Sequence, residues 1–169
     1  MTLADFNQLP EEDANQALYN CCGSTVWVDA MMDHFPFDRV ATIHEQASYY
    51  WFDACTEKDW IEAFHQHPKI GNVKALQKKF AATASWASGE QAGVKTATPE
   101  TLEALAAGNL AYEKKFGYLF IVCATGKSAE EMLQILQARL PNDEREELVV
   151  AMNEQHKITT IRLHKLLPS

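Results

Sequence analysis

Apolar residues recur three and four positions apart along most of this chain, which is the period of an amphipathic helix. Pro10-Glu11-Glu12-Asp13 opens a first helix through Leu18 and Tyr19, ending near Gly23. Ser24 or Thr25 caps a second, carrying Trp27, Val28, Met31 and Met32 and stopped before Pro36. Residues 38–55 form a third, with Val40, Ile43, Ala47, Tyr50 and Trp51 at helical spacing. Thr56 followed by Asp59 is a capping-box spacing for a fourth. Trp60, Ile61 and Phe64 make its core face, and it leads to His67. Val73 to Phe80 makes a short fifth, followed by the small-residue run Ala81 to Ser85. Thr98-Pro99-Glu100 places proline at a first helical position, and that helix runs from Pro99 to Phe116 and ends at Gly117. Ser128 caps another, with Glu130 and Glu131 in its first turn and Met132, Leu133 and Leu136 inside. Pro141-Asn142 breaks it, and Asn142 caps a last helix reaching Leu167. The pattern predicts an all-α fold, a single compact multi-helix domain over residues 1–169 with roughly eight or nine helices.

One stretch departs from the helical period. Tyr118 to Ala124 is a continuous apolar run rich in β-formers, between Gly117 and Gly126. A lone strand leaves its backbone groups unpaired, and no second strand of similar quality exists. The run is therefore expected as a buried extended segment, or as a continuation of a helix.

Composition narrows the possible partners. The chain has 169 residues, 47% hydrophobic and 22% charged, as an ordinary globular protein does. Net charge is −8 with no basic block to track phosphates, which argues against nucleic acid as a partner. Cys21, Cys22, Cys55 and Cys123 show no CxxC spacing and read as reduced thiols. No apolar run approaches the roughly 18 residues of a membrane span. Met1 to Pro10 lacks a signal-peptide pattern, and Leu167-Pro168-Ser169 is not a peroxisomal tripeptide. A cytoplasmic location is expected by elimination.

Two motifs fail on inspection. Ala124-Thr125-Gly126-Lys127-Ser128 ends like a P-loop, but Ile121 stands where the first glycine belongs, leaving a helix N-cap. His44-Glu45 begins like a zinc-protease motif, but Ser48 replaces the second histidine. His65-x-His67 would share one face on a strand but not on a helix, which makes joint metal ligation awkward.

Three polar residues fall where apolar ones belong. Extending the Trp60 and Phe64 stripe brings His67 within about 60° of it at 100° per residue, with His65 pointing away. Pro68 takes His67 off helical dihedrals and fixes it. The helix dipole favours the charged ring and burial disfavours it, so its proton can titrate near neutral pH. Glu90 shares a helical face with Trp86 and Gly93, where a carboxyl is hard to ionise unless paired. Arg162 joins Leu148, Met152, Gln155, Thr159 and Leu166 in one stripe, suited to gripping a carboxylate bidentately. Each has a plainer reading: a satisfied core histidine, a helix-end carboxylate, a snorkelling arginine. Together they point to an acid–base pair with an anion clamp.

Four blocks resemble a known family. Asp59 to Gly71 is similar to the "AFxxHPxIG" signature of OHCU decarboxylase, the 2-oxo-4-hydroxy-4-carboxy-5-ureidoimidazoline decarboxylase of urate breakdown. Trp86 to Gly93 is similar to "WSxxEQxG", Tyr112 to Ala124 to "YxxKFGxxFIxC", and Glu154 to Leu163 to "ExxKIxxLRL". The resemblance implies an all-helical homodimer without metal or organic cofactor that converts OHCU to S-allantoin and carbon dioxide. It implies His67 as catalytic histidine, Glu90 as essential glutamate and Arg162 as carboxylate anchor. It further implies a pocket lined by Pro68, by Ala87, Ser88, Gly89, Glu90 and Gln91, and by Phe120, Ile121, Val122, Cys123 and Ala124. Ala87 stands where the family often has serine, so only the backbone role carries over there. Two other readings make different predictions: a non-catalytic helical dimerisation or binding module, and a His65/His67 metallohydrolase.

Overall fold

The computed structural model describes residues 1–69, 72–87 and 97–168, without the side chains of 82–87. Among the described residues there are nine α-helices, one π-helical turn and no strand. The helices are α1 (Leu3–Asn7), α2 (Glu11–Cys22), α3 (Thr25–Met32), α4 (Val40–Tyr49), α5 (Glu57–His65), α6 (Val73–Ala87), α7 (Pro99–Phe116), α8 (Ala129–Arg139) and α9 (Glu144–Leu166). The backbone groups into two units: Met1–His67 with Ile121–Cys123 and Leu148–Ser169, and Pro68–Phe120 with Ala124–Glu147.

In the first unit α3 packs against α2, α4 and α5. Phe6, Leu18, Trp27, Met31, Ile43, Trp51, Phe64 and Leu163 are fully buried there, each side chain contributing about 1.5–3 kcal/mol relative to exposure. Every indole of this unit has a carbonyl acceptor. Trp27 Nε1 donates to Ala47 O at 2.9 Å, Trp51 Nε1 to Met152 O at 3.0 Å and Trp60 Nε1 to Trp51 O at 2.9 Å. Burying these rings therefore leaves no orphan donor behind.

Several helix ends differ from their sequence expectation. Helix α1 was not predicted, because five residues are too few to show a period. Only its capping box marks it, with Thr2 N donating to Asp5 Oδ2 at 2.9 Å and Asp5 N to Thr2 Oγ1 at 3.1 Å. The third predicted helix divides at Tyr50–Ala54, where Cys55 N donates to Tyr50 O at 2.9 Å, a π-type closure. Helix α5 stops at His65, two residues short of His67. Helix α6 continues to Ala87, through the small residues expected to follow it as a separate run. Asp143, not Asn142, caps α9: its Oδ1 accepts from Glu146 N at 2.8 Å. Tyr118 to Ala124 is neither strand nor helix, so of the two expectations the helix continuation is excluded.

In the second unit α7 packs on α6 and α8. A Cβ at Gly108 would lie 2.4 Å from Leu136 Cδ2, so α7 and α8 approach closely there. Glu147 is fully buried in this unit, accepting from Arg139 Nε at 2.8 Å, from Tyr112 Oη and, on its other oxygen, from Asn142 Nδ2 at 2.9 Å. Burial, and then the bond to Glu147, hold the Tyr112 phenol far above its usual range, so it remains a donor.

Gly23 closes α2 at φ +84°, a left-handed conformation. A Cβ there would meet Gln66 Cγ at 2.8 Å and Gln66 Cβ at 2.9 Å. Glycine thus lets the end of α2 rest on the residue preceding His67. Gly23→Ala is expected to cost about 1–3 kcal/mol through left-handed strain plus that clash. A lowered urea midpoint at unchanged m-value checks it; a wild-type midpoint would refute it.

Candidate active site

The site begins with how α5 ends. Thr56 N and Oγ1 each donate to Asp59 Oδ2 at 2.8 Å, completing the capping box at its start. Phe64 and Ala63 are fully buried and fix the rotation of the helix, leaving His65 exposed. The chain then tightens, Gln66 N donating to Ala63 O and His67 N to Phe64 O, both at 3.2 Å. These three-residue closures form a 3₁₀-type last turn, and Pro68, lacking an N–H, cannot extend it. His67 is left half-buried, its Nε2 2.6 Å from Gln155 Oε1.

Gln155 itself is fully buried on α9. Its Nε2 donates to Cys22 O at 3.3 Å and to Thr159 Oγ1 at 3.2 Å. One residue earlier on α9, Glu154 Oε2 accepts from Cys123 N at 2.7 Å. Seven residues beyond Gln155, about 10 Å along the helix axis, Arg162 Nη1 donates to Asn20 O at 3.3 Å and Cys21 O at 3.2 Å. Those carbonyls end α2, where a cation is favoured. Part of the Arg162 guanidinium thus seats a helix end.

Helix α9 therefore holds three of the sequence-predicted positions within one unit: His67 through Gln155, the Cys123 backbone through Glu154, and Arg162 directly. Ile121 and Val122 belong to the same unit, with Ile121 buried and Val122 half-buried. Pro68, Phe120 and Ala124 belong to the other unit. There Phe120 stacks against the Arg139 guanidinium, 4.7 Å from its ring centroid. Ala87 ends α6. Ser88, Gly89, Glu90 and Gln91 lie outside the described residues.

Sequence reasoning missed Gln155 as a functional residue, although it named it within the α9 stripe. A buried amide in an otherwise inward apolar row was the available signal, because such a group must find partners. Glu154 stands first in the fourth family block, but no local pattern marks its partner, a backbone N–H 31 residues away.

Cys21, Cys22 and Cys55 are held neutral. Burial pushes Cys21 and Cys55 up to about 11 and raises Cys22 further. The thiolate is the reactive form, so these cysteines are poor nucleophiles. Among the described residues no three His, Cys, Asp or Glu side chains converge as metal ligands. Ser128 N donates to Glu131 Oε2 at 2.7 Å and Glu131 N to Ser128 Oγ at 3.2 Å, so the P-loop-like run is the start of α8.

The arrangement supplies an oriented, half-buried imidazole beside buried polar groups, which suits proton exchange with a bound molecule. Residues 7–164 match the OHCU decarboxylase family. The chain belongs to that family. It is 37% identical over 148 residues to the uric acid degradation bifunctional protein TTL of Arabidopsis thaliana, covering 86% of this chain and 45% of that protein. It thus spans less than half the length of that plant relative. The 2-oxo-4-hydroxy-4-carboxy-5-ureidoimidazoline decarboxylase of the archaeon Halalkalicoccus jeotgali is 24% identical over 167 residues, covering 98% of this chain and 92% of that one. Among solved structures, an OHCU decarboxylase crystallised in the presence of (S)-allantoin matches with a TM-score of 0.74 at 34% identity, covering 95% of this chain and all of that one. The chain shares the OHCU decarboxylase fold, helical and without strands among the described residues. Among the described residues no helix is long and apolar enough to cross a membrane.

Proposed function

We propose that this protein removes carbon dioxide from OHCU and releases S-allantoin, with His67 and Glu90 as catalytic residues and Arg162 as carboxylate anchor. The observation that carries this reading is His67, turned inward by the tight end of α5 and hydrogen-bonded at 2.6 Å to a fully buried amide. Family membership names the reaction; the imidazole gives it a proton carrier.

Loss of carbon dioxide leaves an electron pair on C4 of the ring. The adjacent C=N bond accepts that pair and its nitrogen takes up a proton, so the substrate is its own electron sink and needs no organic cofactor. The hydroxyl on C4 makes the product an enol-like species. Its hydroxyl proton leaves as C5 is protonated, giving the carbonyl and the stereocentre of allantoin. The protein's tasks are to turn the carboxylate out of the ring plane, stabilise the intermediate and deliver a proton to one face. In this reading Arg162 and backbone N–H groups position the carboxylate, and Glu90 receives the ureido or ring N–H groups. His67 exchanges the proton with the 4-hydroxyl or with C5. Pro68, Ala87 to Gln91 and Phe120 to Ala124 supply pocket backbone, as the resemblance in three of the four blocks implies.

The same reading takes the protein to be a cytoplasmic homodimer acting as one catalytic domain, without a metal. Freshly generated OHCU followed by circular dichroism tests it. Wild-type protein is expected to speed the appearance of optically active allantoin, with no change on adding a chelator. Unaltered substrate decay would favour the helical binding module instead, and a chelator-sensitive rate would favour the metallohydrolase.

A further inference from the structure

The bond between Gln155 and His67 decides which ring nitrogen works. An amide side chain presents an oxygen at one end and an NH₂ at the other, and its neighbours determine which faces where. Cys22 O is a backbone carbonyl and can only accept, so the Gln155 NH₂ faces it at 3.3 Å. That NH₂ has its second acceptor in Thr159 Oγ1 at 3.2 Å, and Thr159 also hydrogen-bonds the Cys22 thiol. Gln155 Oε1 is left facing His67 Nε2 at 2.6 Å. An amide oxygen only accepts, so His67 Nε2 must carry the hydrogen.

We propose that Gln155 is a positioning residue that holds His67 as its Nε2–H tautomer, making Nδ1 the atom that takes and returns the proton during the reaction. The inference rests on His67 being the acid–base group. The device resembles the carboxylate that orients a histidine in a catalytic triad, but here the orienting group is neutral. When Nδ1 takes a proton the ring becomes a cation, and Gln155 continues to accept from Nε2 unchanged. The proton thus enters and leaves at one nitrogen without the ring turning over. Helix α9 sets the geometry, because Gln155 is fully buried and bonded at both ends of its amide.

The test combines spectra of protein labelled with ¹⁵N-histidine with kinetics on OHCU. In wild type above the titration of the ring, His67 is expected to show a protonated Nε2 and an unprotonated Nδ1. Gln155→Met keeps the length and removes the acceptor, so a mixture of tautomers is expected, with kcat lower on the order of 10²-fold and KM little changed. Gln155→Glu restores an acceptor facing Nε2 and adds a negative charge that favours the imidazolium. It should recover part of kcat, with the acid limb of the kcat/KM profile moved to higher pH. An Nδ1–H tautomer in wild type overturns the proposal, as does equal loss in both variants with an unmoved pH profile. The spectrum needs no substrate, so it reads the Gln155 assignment even if wild type proves inactive, an outcome that would overturn the decarboxylase reading instead.

Discussion

Replacing His67 by alanine is expected to lower kcat by about 10²–10⁴-fold, the usual contribution of a proton-transfer group, while the protein stays folded. The ring is half-buried and lies beyond the end of α5, so its loss removes little packing. Capping at Thr56 and burial of Ala63 and Phe64 hold that helix without it. Gln155 Oε1 loses its partner, and water entering the vacated, partly open space satisfies it. Far-ultraviolet dichroism and the urea midpoint should therefore change little as activity falls. KM should change less than kcat, because in the proposed reaction the imidazole acts on a proton that moves only during the chemical step. A loss below about tenfold would reassign the proton transfer to another group.

The second large effect is on stability. Glu147 is fully buried and Arg139 nearly so, with side-chain exposures of 0% and 8%. Glu147→Ala removes the buried carboxylate that accepts from Arg139 Nε, Tyr112 Oη and Asn142 Nδ2. Breaking a buried pair from one side typically costs about 3–5 kcal/mol. For a chain of this length that lowers Tm on the order of 10 °C. Lys69 and Glu113 form an ion pair at 2.8 Å with the lysine 63% exposed, and serve as control. Exposed pairs contribute about 0–1 kcal/mol, so Lys69→Ala should leave Tm nearly unchanged. Equal shifts in the two variants would show that Glu147 is solvated and that its partners do not depend on it.

Much of the fold was legible because helix starts and stops are local. Ser24, Thr56, Thr98 and Ser128 announced four helix starts, and Gly23 and Gly117 two stops, each through groups within a turn of the boundary. What failed was equally physical. Helix α1 is too short for periodicity. The alanines, threonine and serine of residues 81–85 carry no apolar stripe, yet α6 runs through them. At the site, Pro68 exposed His67 because proline acts on its immediate neighbour. The role of Gln155 depends on Cys22, which is 133 residues away, and no local pattern records that. The pairing of Arg139 with Glu147 spans the break at Pro141, and its third member, Tyr112, lies on another helix. Glu90 lies outside the described residues, so its part in the proposed site rests on its spacing from Trp86 and on the family resemblance.

The burial of all four cysteines has a practical side. Burial slows the reaction of these sulfhydryls with a maleimide dye, so a cysteine introduced on the surface is labelled in preference to them. His65 is exposed and two residues from the imidazole. A cysteine introduced there would carry a fluorophore beside His67 and test directly whether a ligand arrives at the proposed site.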